Sequence, residues 1–353
     1  MSGATDQIGF TPAARFLVVA GSFVIVAAGL KAASALVTPF LLAVFIAVLV
    51  APPLQYLRNH GLPGWAAMLI IVALLIAVGG GVIGLFTGSL NEFNANLPEY
   101  QQRLKAMSGD LLSWIDGLGV HVSRDTFHSL ADPSRALGYA SELIRGLGGV
   151  LTNALMILLT VIFLLVEANN LPSKLRFALK SPDDSMQQMR EVTHTINRYM
   201  FIKANTSLLT GALIWLWLTF LGVDFAAMWA TLAFLLNFVP TIGSIIAAVP
   251  AVLLALVQLG PETAVLAAIG YICVNIGIGN AIEPRIMGRG LGLSTLVVFL
   301  SLVFWGYVLG SAGMFLSVPL TMALKIALDA NPQTRPIAIL LGPEIRPKET
   351  AEV

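Results

Sequence analysis

Long runs of apolar residues fill most of this chain, and short polar stretches separate them. Eight windows hold no Asp, Glu, Lys or Arg: 16–30, 32–57, 59–91, 146–166, 204–223, 225–261, 263–282 and 290–324. A helix rises about 1.5 Å per residue and a bilayer core is about 30 Å thick, so roughly 20 apolar residues make one crossing. The runs are apolar on nearly every face, unlike the alternating strands of a membrane barrel. The pattern predicts an all-α, polytopic transmembrane protein with about eight spans.

Two windows have the wrong length. Segment 225–261 has 37 residues and segment 290–324 has 35, each too long for one ordinary crossing. Pro and Gly interrupt both. The first carries Asn237, Pro240, Thr241, Gly243 and Ser244, then Pro250. The second carries Gly306, Gly310 and Gly313, then Pro319. Broken helices or re-entrant hairpins fit both segments, because backbone groups freed at membrane depth must find protein or water partners. Ala248-Val249-Pro250 also aligns with Ser317-Val318-Pro319, 69 positions later, with one crossing between them. That is the pattern of an inverted repeat; the alternative is chance similarity between apolar strings.

The polar stretches divide the rest. Leu90, Leu97, Leu104, Leu111 and Leu118 fall seven apart, with Phe93, Tyr100, Met107 and Trp114 three positions after the first four. This spacing is a coiled-coil seam. Pro98 after Asn96 predicts a helix start there, running to about Leu118. Leu97, Leu104, Leu111 and Trp114 are its candidate oligomer contacts; packing on the protein's own membrane domain is the alternative. Asp132-Pro133-Ser134 predicts a further short helix, and Met186 to Met200 an amphipathic helix on the membrane surface. Region 169–203 holds six Lys and Arg, whereas 92–145 holds five basic and seven acidic residues. Positive-inside reasoning therefore places the former in the cytoplasm and the latter outside. The expected organisation is a three-span N-terminal scaffold (1–91), an extracytoplasmic polar block (92–145) and a fourth span (146–168). A cytoplasmic amphipathic segment (169–203), a transport region with broken helices (204–328) and a C-terminal tail (329–353) follow.

Composition closes off other classes. Hydrophobic residues make up 57% of the 353 positions and charged residues 11%, with mean hydropathy +0.85. Soluble domains carry about 25% charge. A net charge of +1 gives no field for nucleic acid. Cys273 is the single cysteine, so no disulfide framework or thiolate metal site is expected. Gly79-Gly80-Gly81-Val82-Ile83-Gly84 matches a dinucleotide fingerprint only formally; Gly80, Gly84 and Gly88 form a small-residue packing ridge instead. No phosphate-binding loop is present, so the chain carries no ATP motor of its own. No enzyme chemistry, metal or cofactor is expected. Ala33-Ser34-Ala35 resembles a signal-peptide cleavage site, but the stretch ahead of the first apolar window carries only Arg15 as a basic residue. Lys31 is instead expected at a hairpin turn near the interface.

Ionisable groups near membrane depth are functional candidates. The leading cluster is Asn280, Glu283, Pro284 and Arg285, followed by Gly288. On a regular helix Asn275 and Glu283 lie about 80° apart, on one broad face. Glu283 could take up a proton or coordinate a cation, and Arg285 could pair with it or hold an anionic substrate. An interfacial salt bridge at a helix end is the plainer reading. Asn237, Thr241 and Ser244 could bind ions or polar solutes beside the break, or merely satisfy the broken backbone ladder.

Three stretches carry a family resemblance. They are Asn237-Phe238-Val239-Pro240-Thr241-Ile242-Gly243 with Pro250, Asn280-Ala281-Ile282-Glu283-Pro284-Arg285-Ile286-Met287-Gly288, and Gly310-Ser311-Ala312-Gly313-Met314-Phe315-Leu316-Ser317-Val318-Pro319. In this order they resemble the autoinducer-2 exporter (AI-2E) family of bacterial membrane proteins, over essentially the whole chain. The resemblance implies a homo-oligomeric, pentameric transporter of the inner membrane, without an ATPase subunit. Some relatives are described as exporters of autoinducer-2, others as Na⁺(Li⁺)/H⁺ antiporters. The expected partners are lipid, a small polar solute and Na⁺ or H⁺.

Overall fold

The computed structural model describes residues 11–117, 153–168, 174, 182–240, 242–287, 292–330 and 332–343. Among these residues every regular element is helical. The N-terminal part contains α1 (Pro12–Ala32), α2 (Ser34–Asn59), α3 (Gly64–Gly117) and α4 (Ala154–Glu167). The C-terminal part contains α5 (Pro182–Leu221), α6 (Ala226–Leu236), α7 (Ile242–Leu259) and α8 (Pro261–Asn275). A π-helix (Ile276–Ile282), α9 (Glu283–Met287), α10 (Thr295–Asp329) and α11 (Arg335–Leu340) follow. Among the described residues six helices are long and apolar enough to cross a membrane, and shorter apolar helices accompany them. Their outward faces carry exposed Leu, Ile, Val and Phe throughout, the surface of a multi-pass membrane protein. The short helix expected at Asp132 and much of the 92–145 block lie outside the described residues.

Three boundaries differ from expectation. First, α1 and α2 meet at Ala33 alone. Its N–H donates to the Gly29 carbonyl at 2.9 Å, and its carbonyl accepts from the Val37 N–H at 3.0 Å. Helical hydrogen bonds therefore run into and out of this joint, in place of the turn expected at Lys31. The Lys31 ammonium instead lies 3.4 Å from the centre of the Tyr307 ring.

Second, α3 is one helix from Gly64 to Gly117, with Pro98 inside it. A proline interior to a helix loses one hydrogen bond and crowds the preceding turn. Packing on either side offsets this. Phe93 and Tyr100 are buried, and the Phe93 ring meets Trp229 edge-on at 5.8 Å. Third, the amphipathic stretch after Pro182 continues into the next apolar run as a single 40-residue helix, α5.

Two apolar cores hold the bundle. One gathers Phe93, Tyr100, Leu218, Trp229, Leu232, Leu254 and Tyr271 from α3 and α5 to α8. The other gathers Phe45, Ile71, Val161, Tyr199, Phe238 and Leu316 from α2 to α5, the 237–241 break and α10. Gly80, Gly84 and Gly88 serve neither core. Among the described residues nothing stands within 4 Å of where their side chains would be.

The two overlong segments are both broken near their middle. In the first, α6 and α7 pack against each other across the break at 237–241. A Cβ at Gly243 would stand 1.8 Å from the Leu236 carbonyl oxygen. In the second, Gly310 has φ 69° and ψ −151°, far from helical values. A straight helix would hold residues sixteen apart at about 24 Å. Here the Trp305 Nε1 donates to Thr321 Oγ1 at 3.1 Å, so the chain has folded back. A Cβ at Gly313 would stand 2.0 Å from the Trp305 carbonyl oxygen. Leu236 and Trp305 are themselves 69 positions apart, the offset read from the Pro250 and Pro319 alignment.

Candidate functional site

One face of α5 is polar inside an otherwise apolar run. Tyr199, Lys203, Thr206, Ser207 and Thr210 recur at helical spacing and all are buried. Thr206 and Thr210 return their hydroxyl protons to backbone carbonyls of the preceding turn, those of Lys203 and Thr206, at 3.1 and 2.9 Å. Lys203 reaches across to the start of α9. Its Nζ lies 2.9 Å from Glu283 Oε1 and 3.0 Å from Oε2. The two side chains are 6% and 15% exposed. A lysine and a glutamate this dry must be paired or neutralised, since an isolated buried charge costs several kcal/mol.

The site approached from Glu283 differs from expectation in its partner. Arg285, the other candidate partner, is exposed and makes no ion pair among the described residues. The π-helix is the local cause of another difference. Its hydrogen bonds span five residues, so each residue turns the chain through less than the α-helical 100°. The 80° estimate for Asn275 and Glu283 therefore does not hold. Asn275 is half-buried and Asn280 exposed.

The first break comes to the same face of α5. Asn237 Nδ2 donates to Ser207 Oγ at 3.0 Å, one turn beyond Lys203. Ser244 is half-buried on α7, Gly243 and Pro250 are buried, and Pro240 is half-buried. Beside the break the Phe238 ring lies 4.6 Å from Phe315 of α10 and 5.7 Å from Phe45 of α2. Phe315 lies five residues past the reversal at Gly310, so these rings join the two reversals. Gly313 is buried there, while Pro319 is half-buried and Pro284 exposed. Thr241 and Gly288 lie outside the described residues.

Sequence reasoning missed Lys203, Ser207, Phe45 and Phe315. By charge alone Lys203 groups with the surface segment before it. The signal was the spacing Lys203, Thr206, Ser207, Thr210, which stacks polar groups on one stripe of a helix. At the proposed seam, Leu97 is half-buried against the Phe93–Trp229 core of its own chain. The side chains of Leu104, Leu111 and Trp114 lie outside the described residues.

Residues 21–333 match the family described as AI-2E family transporter. A Haemophilus influenzae protein, provisionally named a transport protein, is 40% identical over 93% of this chain and 96% of its own length. The AI-2 transport protein TqsA of Escherichia coli K12 is 37% identical over 93% of this chain and 95% of its own. YhhT of the same organism, also provisionally named a transport protein, is 37% identical over 93% of each chain.

Proposed function

The chain belongs to the AI-2E transporter family, and from that premise we propose that it moves a small polar solute across the bacterial inner membrane without ATP. Autoinducer-2, which the name of one relative gives as that relative's cargo, is the first candidate. The reading is export by alternating access, driven by a proton or cation gradient, with Lys203–Glu283 as the coupling pair. The observation that carries it is the burial of that pair beside the Asn237 break. Glu283 can exchange its lysine for a proton or a metal cation. Either exchange frees Lys203 and loosens the joint between α5 and α9.

The two reversals act in this reading as re-entrant hairpins. Their leading arms, 226–236 and 295–309, have 11 and 15 residues. At 1.5 Å per residue they reach about 16 and 22 Å, short of a 30 Å core. The crossing formed by α8, the π-helix and α9 lies between them, so the hairpins enter from opposite faces, and Phe238 and Phe315 bring their tips together. Oligomerisation follows in the same reading. The open ridge of Gly80, Gly84 and Gly88 offers close approach to a second copy.

The test uses purified protein in liposomes with an internal pH dye. A Na⁺ or Li⁺ gradient is imposed on wild type and Glu283→Gln. Proton movement in wild type, lost in the variant, supports coupling at Glu283 and favours cation/proton antiport as the activity. Autoinducer-2 efflux without cation-driven proton movement leaves solute export as the activity and removes the coupling role.

A further inference from the structure

A cleft of about 500 Å³ opens at the second reversal, where Tyr307 and Ser311 flank Gly310 and face Lys31, Ser34, Thr38 and Asn153. It shares no residue with the Lys203–Glu283 pair. Its size lies within the range of small-molecule clefts. Its chemistry is one-sided. Lys31 contributes an ammonium, and among the described residues no carboxylate lines the cleft. Among the described residues Lys31 has no acidic partner; its charge rests on the Tyr307 ring. Ser34, Thr38, Asn153 and Ser311 add hydroxyl and amide groups. None of the four is engaged in a side-chain hydrogen bond among the described residues. Other hydroxyls of the bundle, such as Thr160, Thr210 and Ser317, return theirs to a preceding carbonyl. Among the described residues the cleft thus holds one cation without a carboxylate partner and four side chains with unused hydrogen-bonding capacity.

We propose that this cleft binds a small hydroxylated anion, its negative charge on Lys31 and its hydroxyls on Ser34, Thr38, Asn153 and Ser311. A cation held only by an aromatic face is weakly bound and is free to turn to an anion. The proposal deepens the transport reading, on which it rests, by giving the solute a site and a charge. The cleft also has a packed route to the coupling pair. Leu42 and Ala312 line it and belong to the core that includes Tyr199 and Met200, neighbours of Lys203 on α5.

The test reads binding on full-length protein in detergent, with no gradient, by ligand-induced thermal stabilisation. The probes are gluconate, glucose 6-phosphate and glucitol, the last carrying hydroxyls without charge. Either anion is expected to raise the Tm of wild type and glucitol to do so at least tenfold more weakly by concentration. Lys31→Met is expected to weaken the anion at least tenfold, and Lys31→Arg to retain it. Because Lys31→Met also removes the contact with Tyr307, Thr38→Val and Ser311→Ala serve as second variants that keep it; each is expected to weaken the anion several-fold. Failure of both anions to stabilise wild type, equal response to glucitol, or unchanged affinity in all three weakening variants overturns the proposal. The transport reading is judged separately, by flux in liposomes. Anion binding retained in Glu283→Gln with flux lost supports both, whereas flux without anion binding sinks only the cleft.

Discussion

Glu283 stood out in the sequence because an acid at the end of an apolar run is expensive wherever it lies. Its partner did not. Lys203 lies 80 positions earlier, and only the packing of α5 on α9 joins them. That pairing carries a stability prediction. Removing one member strands the other in a nearly dry place, whereas replacing both with neutral groups strands neither. Lys203→Gln and Glu283→Gln alone are each expected to lower stability by about 3 kcal/mol. The double substitution Lys203→Gln with Glu283→Gln is expected to recover most of that loss. Thermal unfolding in detergent gives the comparison, and strictly additive losses would show that the two residues do not act as a pair. Cation-driven proton movement is expected to stay absent in the double variant, because stability returns without the exchangeable carboxylate.

At the scale of elements, breaks were more legible than continuations. The backbone leaves helical geometry at Gly310, Gly243 lies against the Leu236 carbonyl, and Pro240 sits between α6 and α7. Pro98 looked like a helix start by the same local rule, but α3 runs through it because Phe93 and Tyr100 bury on both sides. Local rules cannot see such tertiary compensation. The Gly ridge and the reversal glycines also look alike in sequence, yet their surroundings are opposite. Gly243→Ala and Gly313→Ala each drive a methyl to within 2.0 Å of a backbone oxygen. Gly310→Ala places a side chain in a backbone region costing about 1–3 kcal/mol. All three are expected to reduce folded yield and abolish flux. Gly84→Ala meets open space within the chain and is expected to keep the fold, with a gain of about 0.5–1 kcal/mol from helix propensity. Size-exclusion yield and liposome flux measure both groups. Equal tolerance of Gly313→Ala and Gly84→Ala would contradict the close approach at Trp305.

Over the whole molecule, hydropathy revealed a membrane protein and its order of apolar runs, but not how the runs sit across the bilayer. The proposed hairpins make that arrangement testable, because parity decides it. If α6–α7 and α10 each enter and leave on one face, the single crossing between them puts their bases on opposite faces. If α10 traverses fully, positions 262 and 329 fall on the same face; if α6–α7 does, they stay on opposite faces but exchange them. Cys273 is the only cysteine, so Cys273→Ser gives a clean background. Into it go Glu262→Cys, after the first reversal, and Asp329→Cys, at the end of α10; both positions are exposed. A membrane-impermeant maleimide is then applied to sealed right-side-out and inside-out vesicles. Labelling of position 262 from outside and position 329 from inside is expected if the basic segment 169–203 faces the cytoplasm, as its charge predicts. Labelling of both from the same face would break the parity and, with it, the opposed hairpins on which alternating access depends here. α10 would then end on the face opposite to its start despite the break at Gly310, and the Phe238–Phe315 contact would be simple core packing.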